Sequence, residues 1–231
     1  MPSFQSSDSK THTANGIKLA VVDFDRTLFD VDEFWPQFCR VAQECFDIAI
    51  GTLDATHKQS RPYHQPYNGL SELAGLLGQS QLSDQQLGEL RANFESQAAM
   101  FVVPGAGHLI QRLQSNGVTV EVVTVGDLDF QSFKLSLIAD LLIGVAEESF
   151  SCVAGAKGEL IAMLAGKHDL KLSEVLYVDD RSGHIDAVEG LVRQGLQAVW
   201  FNSPAARQDR VERPPVVDVL CVDNLDIIAS D

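Results

Sequence analysis

Five valine-rich apolar runs, separated by stretches of helical periodicity, constrain this chain more than any other feature. They are IKLAVV (17–22), VTVEVVTV (118–125), VLYV (175–178), LQAVWF (196–201) and VVDVLCV (216–222). Most do not alternate between apolar and polar residues, so both faces of each strand must be covered. That is the condition of a parallel sheet with helices on either side. A shorter run, LLIGVA (141–146), suggests a further edge strand. Between the runs, PGAGHLIQRLQSNG places Leu109, Ile110 and Leu113 on one helical face, with Pro104 near its start and Asn116-Gly117 at its end. KGELIAMLAGKHDL and HIDAVEGLVRQG repeat the pattern, with glycines near the helix ends. The expected class is α/β: a doubly wound, Rossmann-like parallel sheet, which binds ligands beyond the carboxyl ends of its strands.

Residues 31–103 carry no strong strand signal. DEFWPQFCRVAQECFDIAI, GLSELAGLLG and SDQQLGELRANFESQAAMF read as helices, with Ser83 as an N-cap. HKQSRPYHQPYNG reads as a loop broken by Pro62, Pro66 and Gly69. An insertion of this length is too long for an ordinary connection between two strands. The spacing therefore predicts a small, second α-helical domain over the strand ends at 31–103, an α/β core at 17–30 and 104–231, and a disordered polar tail at 1–16. No internal repeat is visible.

The formal net charge is −15, which disfavours nucleic acid and anionic membrane surfaces as partners. An anionic substrate could bind only where local cations overturn that field. The four cysteines (Cys39, Cys45, Cys152, Cys221) show no metal-ligand spacing and read as buried, inert thiols of a reducing cytosol. The opening MPSFQSSDSKTHTANG lacks the apolar core of a signal peptide, and no apolar stretch approaches the roughly 20 residues of a membrane helix. The expectation is a soluble, cytoplasmic protein of unspecified oligomeric state.

Within that frame, DFDRT is the anomaly. Asp23 and Asp25 close a buried strand two positions apart, where two like charges are costly unless a cation or a proton is shared. The other strand ends offer complements. VVTVGD supplies the Thr124 hydroxyl, AGAKGE sets Lys157 at the start of a helix, and YVDDRSGHID places Asp179 and Asp180 at a strand tip. Mg²⁺, a hard cation that prefers oxygen ligands, would make the charges on Asp23, Asp25 and Asp180 tolerable. Such a set suits phosphoryl transfer. One carboxylate attacks phosphorus, a second protonates the leaving oxygen and then activates water, and Thr124 and Lys157 stabilise the equatorial oxygens. Lys134 competes with Lys157 for the cationic role but reads as a solvated helix lysine.

In these residues the chain resembles the haloacid dehalogenase-like superfamily. Its four motifs are DxDx[TV], a Ser/Thr after the second strand, a Lys, and an acidic pair after the fourth strand. They match Asp23 to Thr27, Thr124, Lys157 and Asp179-Asp180 in order, and the resemblance covers residue 17 onwards. It implies that Asp23 is the nucleophile and Asp25 the acid/base. It also implies that the Asp25 backbone carbonyl joins the carboxylates of Asp23 and Asp180 on Mg²⁺, and that the helical insertion is a substrate-selecting cap. Many members read GDxxxD in the last motif, whereas here His184 stands at the second acidic position and Asp186 follows two residues later. Asp179, His184 and Asp186 are thus alternatives for the remaining metal-shell contact, with Asp179 either ligand or structural hydrogen-bonding residue, and His184 also readable as helix-start packing. In the cap loop, Lys58, Arg61, Tyr63, His64 and Tyr67 form a basic and aromatic cluster, from which Arg61 or His64 could reach the substrate.

The function expected is a Mg²⁺-dependent phosphatase that hydrolyses a small phosphorylated metabolite through an aspartyl-phosphate. Asp25 argues against the dehalogenase branch, because halide leaves without an acid. The alternative is a phosphoacceptor signalling module or a partner-binding protein of the same superfamily with little turnover. Receiver domains, however, are shorter and carry no helical cap.

Overall fold

The computed structural model describes residues 16–59, 67–142, 145, 149–153, 155–202 and 213–228. Most of the polar tail therefore lies outside the described residues, as do Arg61, Tyr63 and His64.

Six parallel strands form one sheet in the order β3-β2-β1-β4-β5-β6: β1 (Leu19–Val22), β2 (Thr119–Val125), β3 (Phe150–Val153), β4 (Val175–Asp179), β5 (Gln197–Phe201) and β6 (Leu220–Val222). The four residues of β1 are fully buried, which is why its sequence is apolar on both faces. Alternate side chains feed two cores. Ala20, Val22, Val122 and Val178 enter one, while Leu19, Val21, Val123, Val175 and Tyr177 enter the other. The second core is covered by α7 (Gly158–Lys167) and α8 (Ser182–Ala187). On the opposite face lie α5 (Ala106–Ser115) and α6 (Leu128–Ile138). The sheet is thus wound on both sides, as the periodicity predicts. Val22 pairs with Val122 on one side and Val178 on the other, so the residues that follow, Asp23 and Asp179, leave the sheet at the same level.

Three local expectations fail. The strand beside β2 at the edge is Phe150–Val153, and the described residues of the 141–146 stretch (141, 142 and 145) form no strand. Leu141 and Leu142 instead close α6, both amides donating to the Ile138 carbonyl, and Leu142 is buried there. The stretch HIDAVEGLVRQG is not one helix, since it breaks at Val188 between α8 and α9 (Glu189–Val192). The first helical stretch also divides: α1 (Val31–Phe46) ends at Asp47 in the left-handed region, with φ 56°, and α2 (Ile50–Gln59) begins afresh.

The segment between β1 and α5 is helical, as expected. It holds α1, α2, α3 (Gly69–Leu76), α4 (Asp84–Glu95) and a 3-10 turn at Ala98–Phe101. Asp30 caps α1 through bonds from the amides of Asp32 and Glu33. Ser83 and Gln86 form a reciprocal capping box on α4. These helices do not enclose a core of their own. Phe34, Phe38, Phe94 and Phe101 pack with one another, and Phe34 and Phe38 also meet Phe130 of α6 at ring distances of 6.1 and 5.8 Å. A Cβ on Gly69 would come within 2.8 Å of the Phe130 ring, so only glycine lets α3 approach α6 this closely. Among the described residues, no helix is long and apolar enough to cross a membrane.

Candidate active site

Where β1 ends, the Asp23 amide still donates to the Val178 carbonyl, at 2.9 Å, and the chain then turns sharply. The amides of Leu28 and Phe29 both return to the Phe24 carbonyl, and Arg26 takes the left-handed conformation, with φ 63°. Phe24 stacks on Phe29 inside the core. The Arg26 guanidinium is held by Asp32 in a two-pronged ion pair at 2.5 and 2.8 Å. This turn sends the two aspartates of the motif to different partners.

Asp23 faces α7. Lys157, at the N-terminal boundary of that helix, bonds to the carboxylates of both Asp23 and Asp179, the latter at 2.7 Å. All three side chains are buried, and Asp180 is buried beside them. Carboxylate oxygens of Asp23, Asp179 and Asp180 lie within 4.8 Å of one another. Asp179 has further partners: the Tyr177 hydroxyl donates to it at 2.5 Å, the Arg181 amide at 2.8 Å, and Nδ1 of His184 stands 3.1 Å away. The Asp180 backbone carbonyl is fixed by the Trp200 indole N–H at 2.9 Å.

The electrostatics follow from three carboxylates and one ammonium sharing a buried space. Burial, then Asp179, pushes the Asp23 carboxyl up to about 6, and Lys157 offsets only part of this. Burial also drives Asp180 well above the carboxylate range, with Asp23 and Asp179 adding to it. Asp179 goes the other way: burial opposes its charge, but Lys157 and His184 outweigh it and hold the carboxyl low. Burial likewise disfavours the Lys157 ammonium, yet Asp179 and Asp23 keep it charged. Three carboxylates face one ammonium, so without a further cation Asp23 and Asp180 are driven toward their protonated forms, and the donors they would offer such a cation are all oxygen. That is the chemistry of a hard divalent cation site.

Asp25 departs from expectation. Its side chain does not join the three carboxylates. It turns to α6, where Lys134 meets one oxygen at 2.5 Å and Gln131 donates to the other at 3.0 Å. Lys134 is accordingly no solvated lysine, being 2% exposed. The sequence does hold a signal of this: Phe130, Phe133, Leu135 and Ile138 surround Lys134 at helical spacing, which puts it on the buried face. Thr124 is buried near the end of β2, two residues past the Val22–Val122 pairing. Asp186 points elsewhere, accepting from the Val216 amide at 2.7 Å and from Arg213 at 3.1 Å. Of the sequence candidates, the structure thus gathers Asp23, Lys157, Asp179 and Asp180, sets His184 against Asp179, and sends Asp25 and Asp186 to other partners, while Tyr177, which the sequence reading does not single out, joins His184 on Asp179.

By sequence, no family model and no curated protein matches the chain. Solved structures do match it. A protein described as a haloacid dehalogenase-like hydrolase of Burkholderia xenovorans superposes with a TM-score of 0.66 at 17% identity, over 92% of this chain and 98% of that one. A dehalogenase in an intermediate complex gives 0.55 at 16% identity, over 91% and 95% of the two chains. An L-2-haloacid dehalogenase of Xanthobacter autotrophicus, with chloropropionic acid covalently bound, gives 0.52 at 12%, over 90% and 95%. These superpositions, each over at least 90% of the chain, support one conclusion: this chain has the fold of the haloacid dehalogenase-like hydrolases.

Proposed function

We propose that the chain is a hydrolase of that superfamily, a Mg²⁺-dependent phosphatase that acts on a small phosphorylated metabolite through an aspartyl-phosphate. The observation that carries this reading is the convergence of Asp23, Asp179 and Asp180 within 4.8 Å at the carboxyl edge of a parallel sheet, with Lys157 bonded to two of them. Asp23 and Asp180 are the carboxylates with charge to spare for a cation, while Asp179 is largely taken up by Lys157, Tyr177, Arg181 and His184. When bound, a divalent cation supplies the positive charge that lets an anionic nucleophile approach a phosphate dianion.

The chain's own residues do the rest. The ionised Asp23 attacks phosphorus, the ester P–O bond breaks, and an acyl phosphate forms on Asp23. Lys157 holds Asp23 in place and offsets charge on the phosphoryl oxygens, with the Thr124 hydroxyl as a second donor. Asp25 gives a proton to the leaving oxygen, then takes one from the water that hydrolyses the acyl phosphate. In this reading the described helices between β1 and α5 serve as the cap over this edge; the substrate contact expected of Arg61 or His64 falls outside the described residues.

One observation favours a dehalogenase instead. The Asp25 carboxylate, which separates the two chemistries, is bound by α6 and not by the cluster. The test is to offer the purified protein p-nitrophenyl phosphate, a panel of phosphorylated metabolites and 2-chloropropionate, with and without Mg²⁺. Phosphate release that stops with a chelator and returns with Mg²⁺ supports the reading. Chloride release without metal would overturn it. A phosphoprotein that accumulates without turnover would instead favour a phosphoacceptor module.

A further inference from the structure

The proposed chemistry leaves a second buried ammonium without a task. The Lys134 Nζ sits 2.5 Å from Asp25 Oδ1 and is ringed by aromatic side chains, 5.4 Å from the centroids of Phe29 and Phe130 and 5.6 Å from that of Phe24. One helical step earlier, Gln131 donates its amide to Asp25 Oδ2 at 3.0 Å and to the Val125 carbonyl at 3.2 Å. A Cβ on Gly126 would come within 2.6 Å of that same amide nitrogen, so the glycine after β2 makes the room in which Gln131 sits. Both oxygens of Asp25 are therefore held, by two side chains of one helix. A buried lysine with no counter-charge would be expensive, and here the carboxylate and the faces of three rings supply the compensation. The ammonium is enclosed and engaged, so it is not placed to receive a substrate phosphate.

We propose that Lys134, assisted by Gln131, is a positioning residue for Asp25. It holds the Asp25 carboxylate in one orientation outside the acidic cluster, which spares Asp23 a third like-charged neighbour. This rests on the reading of Asp25 as the acid/base of a phosphatase, and it adds the parts that aim that group.

The decisive variant is Lys134→Met, which keeps the stem among the rings and removes the charge. With p-nitrophenyl phosphate and Mg²⁺, kcat should fall roughly 10- to 100-fold, a fraction of what a positioned acid/base supplies. KM should stay within about twofold, because substrate binding is not touched. In an Asp25→Asn background the same change should cost nothing further. Three outcomes overturn the proposal: an unchanged kcat, a loss carried by KM, or an equal loss with and without Asp25. Should Lys134→Met fail to fold, Gln131→Leu, which removes one of the two bonds and leaves the ammonium paired, carries the same test with a smaller loss of kcat. Should the wild-type protein release phosphate from no ester, the phosphatase reading fails by itself. A crystal structure of the folded variant then decides the positioning role: a displaced Asp25 carboxylate supports it, and an unmoved one ends it.

Discussion

Asp23 in the folded protein has its carboxyl near 6, against 3.8 for an ordinary aspartate. Folding without a cation therefore takes up a proton in that window. The contribution of this group to stability is complete below 3.8 and is lost as pH rises through about 6. Asp180, raised by burial and by its acidic neighbours, acts in the same direction. A divalent cation binds only the ionised carboxylates and so reverses the penalty. Thermal unfolding with and without saturating Mg²⁺ should show no gain in Tm at pH 5 and a gain of about 5 °C or more at pH 8. A gain equal at both pH values would mean that the cation binds elsewhere. Replacing Asp23 by Asn should leave the far-UV spectrum unchanged and lower turnover by about 10³-fold or more, since it removes the proposed nucleophile. At this scale the sequence speaks through position: Asp23, Lys157, Asp179 and Asp180 stand at strand ends or helix starts, and those places converge once the sheet is parallel. Lys134 escapes a residue-by-residue reading because a lysine on a helix is ordinarily solvated. Only its four apolar neighbours reveal its face.

Among the elements, α6 has two sets of partners. Its Lys134 and Gln131 hold Asp25, while Phe130 packs on the helices that precede α5, and Asp127, its N-cap, accepts a 2.7 Å bond from Asn68, the N-cap of α3. One amide thus joins two helix starts. Asn68→Ala removes a cap and this link together, and the folded state should lose about 1–2 kcal/mol, read from the midpoint of urea unfolding. A change below about 0.3 kcal/mol would show the link to be incidental. Strands β1, β2, β4 and β5 are legible because each is a mostly buried run dominated by apolar residues. The edge was misplaced because edge strands need little apolar character: β3 is only half-buried, and the more apolar 141–142 serve to close α6. The apolar pattern places Val216 and Val217 in the last strand, yet their amides bond to the Asp186 carboxylate and β6 begins only at Leu220. A side chain thirty residues away decided that, and no local pattern announces it.

For the whole molecule, a net charge of −15 surrounds a site proposed to receive an anion. Long-range repulsion then slows the encounter, and salt screens it over about 8 Å at physiological ionic strength. With Mg²⁺ held saturating, kcat/KM for a dianionic ester should rise as KCl goes from low concentration to about 0.15 M. A fall would show that local cations already dominate the approach. The helical character of the segment between β1 and α5 was legible in length and periodicity. The sharing of one apolar core between this segment and the rest of the fold was not, because packing partners such as Phe34 and Phe130 are distant in sequence and either could have been covered within its own part.

Trp200 ties its indole N–H to the Asp180 carbonyl, while Trp35, the chain's other tryptophan, packs against Phe38, His57 and Tyr67 in the helical segment. The molecule therefore carries two intrinsic fluorophores, one wired to the carboxylate cluster and one set in the apolar layer above the sheet. With Trp35→Phe the emission would report ion loading at the sheet edge alone, and with Trp200→Phe it would report rearrangement of the helices, so the order of the two events could be timed in a stopped-flow instrument without any label.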